Sequence, residues 1–79
     1  MAIYIQIQKA DESPRGITYD FGPSDRFIGQ VFVDRTTHQV SLVRIDEAEK
    51  QEFYLSRVQR TLQRHLRAGE FPLSTCYAA

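Results

Sequence analysis

Apolar and polar residues alternate strictly at the start of the chain. Ile3, Ile5 and Ile7 fall on one side of an extended segment, and Tyr4, Gln6 and Gln8 fall on the other. A period of two marks a half-buried strand and predicts one over residues 2–8. KADESPR carries turn chemistry and predicts a loop. GITYDF resumes the alternation, predicting a second strand over 16–21 with Ile17, Tyr19 and Phe21 inward against Thr18 and Asp20. GPSD breaks it. RFIGQVFVD predicts a third strand over 27–34 with Phe27, Val31 and Val33 inward. After the turn RTTH, QVSLVRI predicts a fourth over 39–45 with Val40 and Leu42 inward.

The pattern also constrains pairing, because a one-residue slip would move every apolar residue to the wrong face. Three registers satisfy it: Val33 with Val40, Phe21 with Phe27, and Ile7 with Ile17. They place Val31 opposite Leu42, Tyr19 opposite Gly29 and Ile5 opposite Tyr19. Short connections favour antiparallel neighbours in the order 1-2-3-4, and Gly29 would leave room beneath the Tyr19 ring.

From residue 47 the period changes to that of a helix. Ala48, Leu55, Val58, Leu62 and Leu66 form one stripe, which predicts a helix over 47–68 lying on the apolar face of the sheet. Asp46 reads as its N-cap, with Glu49 completing a capping-box pair. Glu47, Glu49 and Glu52 crowd the first turns and Arg60, Arg64 and Arg67 the last, the polarity the helix dipole favours. Gly69 and Pro72 stop the helix. The tail 69–79 carries Phe71, Leu73, Cys76 and Tyr77 and is expected to fold back over an edge of the core. The expectation is a single α+β domain, 1–79: a four-stranded antiparallel meander with one long C-terminal helix on one face.

Seventy-nine residues suffice for one small domain with modest stability. Apolar content of 42% and charged content of 25% are those of a folded protein. The formal net charge is zero, which weakens the case for global attraction to nucleic acid but leaves room for a local basic patch. Cys76 is the single cysteine, so no internal disulfide forms, in keeping with a reducing cytoplasm. No signal-peptide pattern and no apolar run of about 20 residues appears, so a cytoplasmic protein away from membranes is expected.

Chemistry-bearing residues are few. Arg57, Arg60, Arg64 and Arg67 form a ridge roughly opposite the helix stripe, with Phe53 on the same side. The ridge reads as a solvated helix face, as a protein-binding surface using Arg and an aromatic, or as a phosphate-binding surface. A second surface is the uncovered sheet face, where the registers place Tyr4, Ile28, Phe32 and Val43. Wet exposure and a homodimer or partner contact both fit it. RNA-recognition modules stack bases on sheet aromatics, but that fold requires a helix where KADESPR stands. His38 ends the RTTH turn, where a left-handed residue is common. His65 flanks the helix stripe and reads as half-buried packing. Two His and one Cys have no zinc-like spacing, and a Cys76–His65 dyad lacks the elbow and oxyanion donors that nucleophilic catalysis requires.

YDFGPSD, IGQVFVDRTTHQVSLV and GEFPLSTCYAA together resemble a group of short, mostly uncharacterised bacterial proteins. A Phe-Gly turn, a hairpin and a helix there lead to a Gly-Glu-Phe-Pro then Thr-Cys-aromatic-Ala tail. His38 and Tyr77 stand where that pattern has Gly and Trp. Some such proteins look like immunity partners of secreted toxins, so the resemblance implies binding rather than catalysis. The expected function is therefore that of a small soluble non-catalytic protein-binding module with a protein partner or a second copy, and no cofactor or metal. A nucleic-acid-binding module using the helix arginines is the alternative.

Overall fold

The computed structural model describes residues 3–79. β1 (Tyr4–Glu12), β2 (Gly16–Gly22), β3 (Gly29–Asp34), β4 (Val40–Ile45) and β5 (Ser74–Ala78) form one antiparallel sheet, and α1 (Gln51–Arg67) packs on one face. The sheet order is β4-β3-β2-β1-β5. The expected meander is present, but the sheet has five strands, because the tail pairs along the outer edge of β1. Residue 2, the expected first residue of the first strand, lies outside the described residues.

Alternation placed most of the core correctly. Ile5, Ile7, Ile17, Tyr19, Phe21, Val31, Val33 and Val40 are buried with Val58, Leu62 and Leu66 of α1. The helix stripe is centred differently: Tyr54 and Thr61 are buried, Leu55 is half-buried and Ala48 is exposed. The Tyr54 ring lies 5.9 Å from that of Phe21. Thr61 is tolerated in the core because its hydroxyl donates to the Arg57 carbonyl, 3.0 Å away.

Two of the three expected registers are displaced. Val33 does pair with Val40, and Val31 with Leu42. Phe21, however, pairs with Gly29 and Tyr19 with Val31. Gly29 therefore lies under the Phe21 ring, not that of Tyr19. Ile7 pairs with Phe21 rather than Ile17. The cause is that KADESPR is mostly strand. β1 runs on to Glu12 through a bulge at Ala10. The turn is confined to Ser13–Gly16, where the two backbones exchange bonds of 2.8 and 3.2 Å.

The third strand starts later than expected, which reverses two side chains. Ile28 is 2% exposed and belongs to the core, whereas Phe27 is 37% exposed. Ile28 precedes β3 and is held by both neighbours: its N–H donates to Phe21 O, and its carbonyl accepts from the N–H of Asp46. A bulge at Val43 turns Ile45 to the core face as well. Ile28 is thus no part of an open-face surface.

The helix also begins differently. A 3₁₀ turn, Ala48–Lys50, precedes α1, and neither has a side-chain cap. Asp46 is not a cap, since its carboxylate meets Arg44 at 3.1 Å. The C-terminus follows expectation. Gly69 has φ 78°; its N–H donates to Leu66 O, and that of Glu70 to His65 O. This is a Schellman closure. The chain then crosses the end of the sheet. Tyr19, though buried, donates its hydroxyl to Pro72 O at 2.8 Å, and Phe71 lies beside Arg35 and His38. Burial, with a smaller effect from Glu12, pushes the Tyr19 phenol up to about 12.

α1 reaches both edges of the sheet. Gln59 donates to Val40 O on β4 at 3.0 Å, while His65 Nε2 and the Thr75 hydroxyl on β5 lie 2.9 Å apart. The sheet therefore curls around the helix, and its two bulges assist the bend. No helix among the described residues is long and apolar enough to cross a membrane.

Candidate partner-binding surface

The flank of α1 above β5 is built from residues spaced four and seven apart, which share one side of a helix. Phe53, Arg57 and Arg64 belong to it, while Arg60 and Arg67 lie further round toward solvent and line a groove with Ser56, Gln59 and Gln63. Phe53 is 38% exposed, yet it is well held. Its ring meets Tyr54 edge-on at 5.2 Å, and the Arg57 guanidinium stacks on it at 4.0 Å. Arg57 also lies 5.8 Å from the Tyr77 ring and donates to the Phe53 carbonyl at 3.0 Å. Its Nε is buried and has no hydrogen-bond partner among the described residues. The result is an Arg–aromatic cluster joining α1 to β5.

The electrostatics separate this flank from the rest of the surface. Arg26 pairs with Glu47, Arg35 with Glu12, Arg44 with Asp46, Lys9 with Glu12, and Lys50 with Glu47. The bonds from Arg26 and Lys50 hold the Glu47 carboxyl below its ordinary value. Lys9 and Arg35 do the same for Glu12. Among the described residues, no such partner meets Arg57, Arg60, Arg64 or Arg67. Glu49 and Glu52 lie beside Phe53, so positive charge is concentrated toward the C-terminal half of α1, from Arg57 to Arg67, in a chain of zero net charge.

The uncovered sheet face has a different character. Gln8, Asp20, Gln30 and Arg44 form a polar row across β1 to β4, and Gln30 donates to Asp20 at 2.7 Å. Tyr4 and Val43 are 48% and 54% exposed. They stand on β1 and β4, three strand spacings apart, or about 14 Å. Phe32 is half-buried because its ring lies across Gly16, in the space a Cβ there would need. These apolar residues do not form one patch.

Cys76 and His65 are on opposite sides of the sheet. Cys76 pairs with Gln6 and shares its open face, whereas Thr75 faces inward to His65. A thiol–imidazole dyad is therefore geometrically excluded. His38 has φ 63°, the left-handed conformation expected of it. Among the described residues, no group of three His, Cys, Asp or Glu is placed to hold a metal ion.

Sequence reasoning found the arginines and Phe53 but missed Tyr77 as their neighbour. Nothing in STCYA indicated that the tail would become a strand beside the helix. No protein-family model, curated protein or solved structure matches the chain.

Proposed function

We propose that the chain is a small non-catalytic protein-binding module that works by surface complementarity through the α1 flank. The observation that carries this reading is the cluster of Phe53, Arg57 and Tyr77, a solvent-facing aromatic held rigid beneath an arginine. Arginine and aromatics are enriched where binding energy concentrates, and a pinned side chain loses little entropy on contact. A role as immunity partner of a toxin rests on the tail resemblance alone. A photo-reactive residue in place of Phe53, with a second at Ser41 on the open face as control, tests the reading in extracts of the native host. One specific protein adduct from position 53 is expected. Adducts from neither position, or equal yields from both, refute it.

Nucleic-acid binding is favoured by the four arginines without ion pairs among the described residues, but the exposed aromatic beside them, Phe53, is already covered by a guanidinium. Titration with single-stranded DNA and RNA at two salt concentrations decides it. Phosphate binding must weaken steeply with salt, and no binding at low salt removes it.

A further inference from the structure

The two edges of the sheet are not equivalent. On β4, Gln59 of α1 occupies the Val40 carbonyl and a bulge at Val43 interrupts the strand. Both devices discourage pairing with another chain. β5 has neither. Ile3 and Ala79 exchange backbone bonds, and Lys9 donates to Leu73 O, so the odd-numbered residues of β5 bond to β1. In an antiparallel ladder the alternate residues point away. The N–H and C=O groups of Ser74, Cys76 and Ala78 therefore face outward. The strand contains no charge, proline or bulge. A shallow groove of ≈ 460 Å³ lies over β1 and β5 on the open face, lined by Tyr4, Gln6, Gln8, Ser74 and Cys76 among others.

An added strand would lie against the α1 flank. Side chains opposite Thr75 and Tyr77 would share their inward face, and that face is overlooked by Arg57, which stands over Tyr77. Arg64, seven residues on, follows on the same side. A second copy of the chain fits this edge poorly. Two-fold β5–β5 pairing would bring both arginine flanks together, with like charges opposed.

We infer that β5 is a docking edge for an extended acidic segment of a partner protein. The segment adds as a sixth strand, with carboxylates at alternate positions meeting Arg57 and Arg64. This deepens the protein-binding reading and rests on it.

The probe is a labelled peptide of sequence Thr-Glu-Thr-Glu-Thr with blocked ends, titrated at low salt and followed by NMR and amide exchange. Binding is expected, with new protection at Ser74, Cys76 and Ala78. N-methylation at the threonines should abolish it while N-methylation at the glutamates is tolerated; the reverse pattern would place the glutamates on the open face, away from the arginines, and would overturn the inference. Arg64→Gln, at an exposed position, should weaken binding by about threefold, since an exposed charge pair contributes modestly. Arg57→Gln should weaken it further, and the exchange rates of the unbound variant show whether the fold survives.

Several results overturn the inference. They are no binding by the wild-type chain, or binding without protection on β5. A Lys-for-Glu peptide that binds equally well, a dimer protected at β5 without peptide, or ten-nucleotide single strands that outcompete the peptide would do the same. A native partner whose cross-links map to Phe53 and Arg67 but never to β5 would also sink it, and would leave the broader binding role standing.

Discussion

Placing a methyl group at Gly29 should be among the most damaging small changes in this protein. A Cβ built there lies 2.5 Å from Phe21 Cζ and 2.8 Å from the Arg44 carbonyl oxygen. Carbon atoms settle at about 3.5–4.0 Å, so the overlap is roughly 1 Å. Phe21 is fully buried and its ring is enclosed by the core, while the Arg44 carbonyl belongs to the adjoining strand. Neither yields without moving packed neighbours. Overpacking of this kind costs typically 1–3 kcal/mol, and Gly29→Ala should fall at the top of that range, about 3 kcal/mol. Gly69→Ala is the control. Gly69 has φ 78° but no atom within 4 Å of a built Cβ, so alanine there meets only the left-handed strain of about 1 kcal/mol. For a domain this small, the corresponding losses in Tm are roughly 12–24 °C and 4–8 °C. Urea unfolding followed by far-ultraviolet circular dichroism measures both, with unchanged m-values confirming that the same transition is compared. Phe21→Leu combined with Gly29→Ala should cost less than the two single losses summed, because the smaller side chain vacates the clash. Equal losses at the two glycines, or simple additivity with Phe21→Leu, would refute the steric account.

Tyr19→Phe should cost about 1 kcal/mol through the lost bond to Pro72. The raised phenol adds a pH signature. A folded-state pKa of about 12 against an ordinary 10.0 contributes stability below pH 10 that is lost as pH rises toward 12. Melting curves across that window should fall more steeply for wild type than for Tyr19→Phe, and parallel curves would contradict the burial argument. His38→Gly should raise Tm by a few degrees, because φ 63° strains a side-chain-bearing residue; a fall would show that the contact with Phe71 outweighs the strain. Glu12, Asp34 and Glu47 are all held below their ordinary values. For Asp34 the cause is the N–H groups of Thr37 and Thr36. Depressed carboxyls contribute stability above their unfolded values and lose it as pH falls through their folded ones. Tm should therefore drop on acidification below about pH 4.5, and Glu47→Gln should flatten that slope.

Which residues face the core was legible in the linear order of the chain, because strand and helix periods operate within one segment. Ile5, Ile7, Tyr19, Val31, Val58 and Leu62 could be placed without knowing their partners. So could the left-handed positions, since backbone preferences at His38 and Gly69 are local. The arginine ridge was equally visible, because helical spacing alone puts Arg57 and Arg64 on one side.

Pairing was another matter. A strand repeats every two residues, so displacing Phe21 from Phe27 to Gly29, or Ile7 from Ile17 to Phe21, leaves every side chain on its proper face. Alternation is blind to even shifts, and the tight Ser13–Gly16 turn, together with the space over Gly29, chose among them. The bulges at Ala10 and Val43 and the burial of Ile28 follow from neighbouring strands. β5 has no strand pattern of its own, since STCYA becomes a strand through the open edge of β1 and the pins at Tyr19 and His65. That pairing sets Tyr77 beside Arg57 and leaves Ser74, Cys76 and Ala78 facing outward, so the surface proposed for binding exists only in the folded chain.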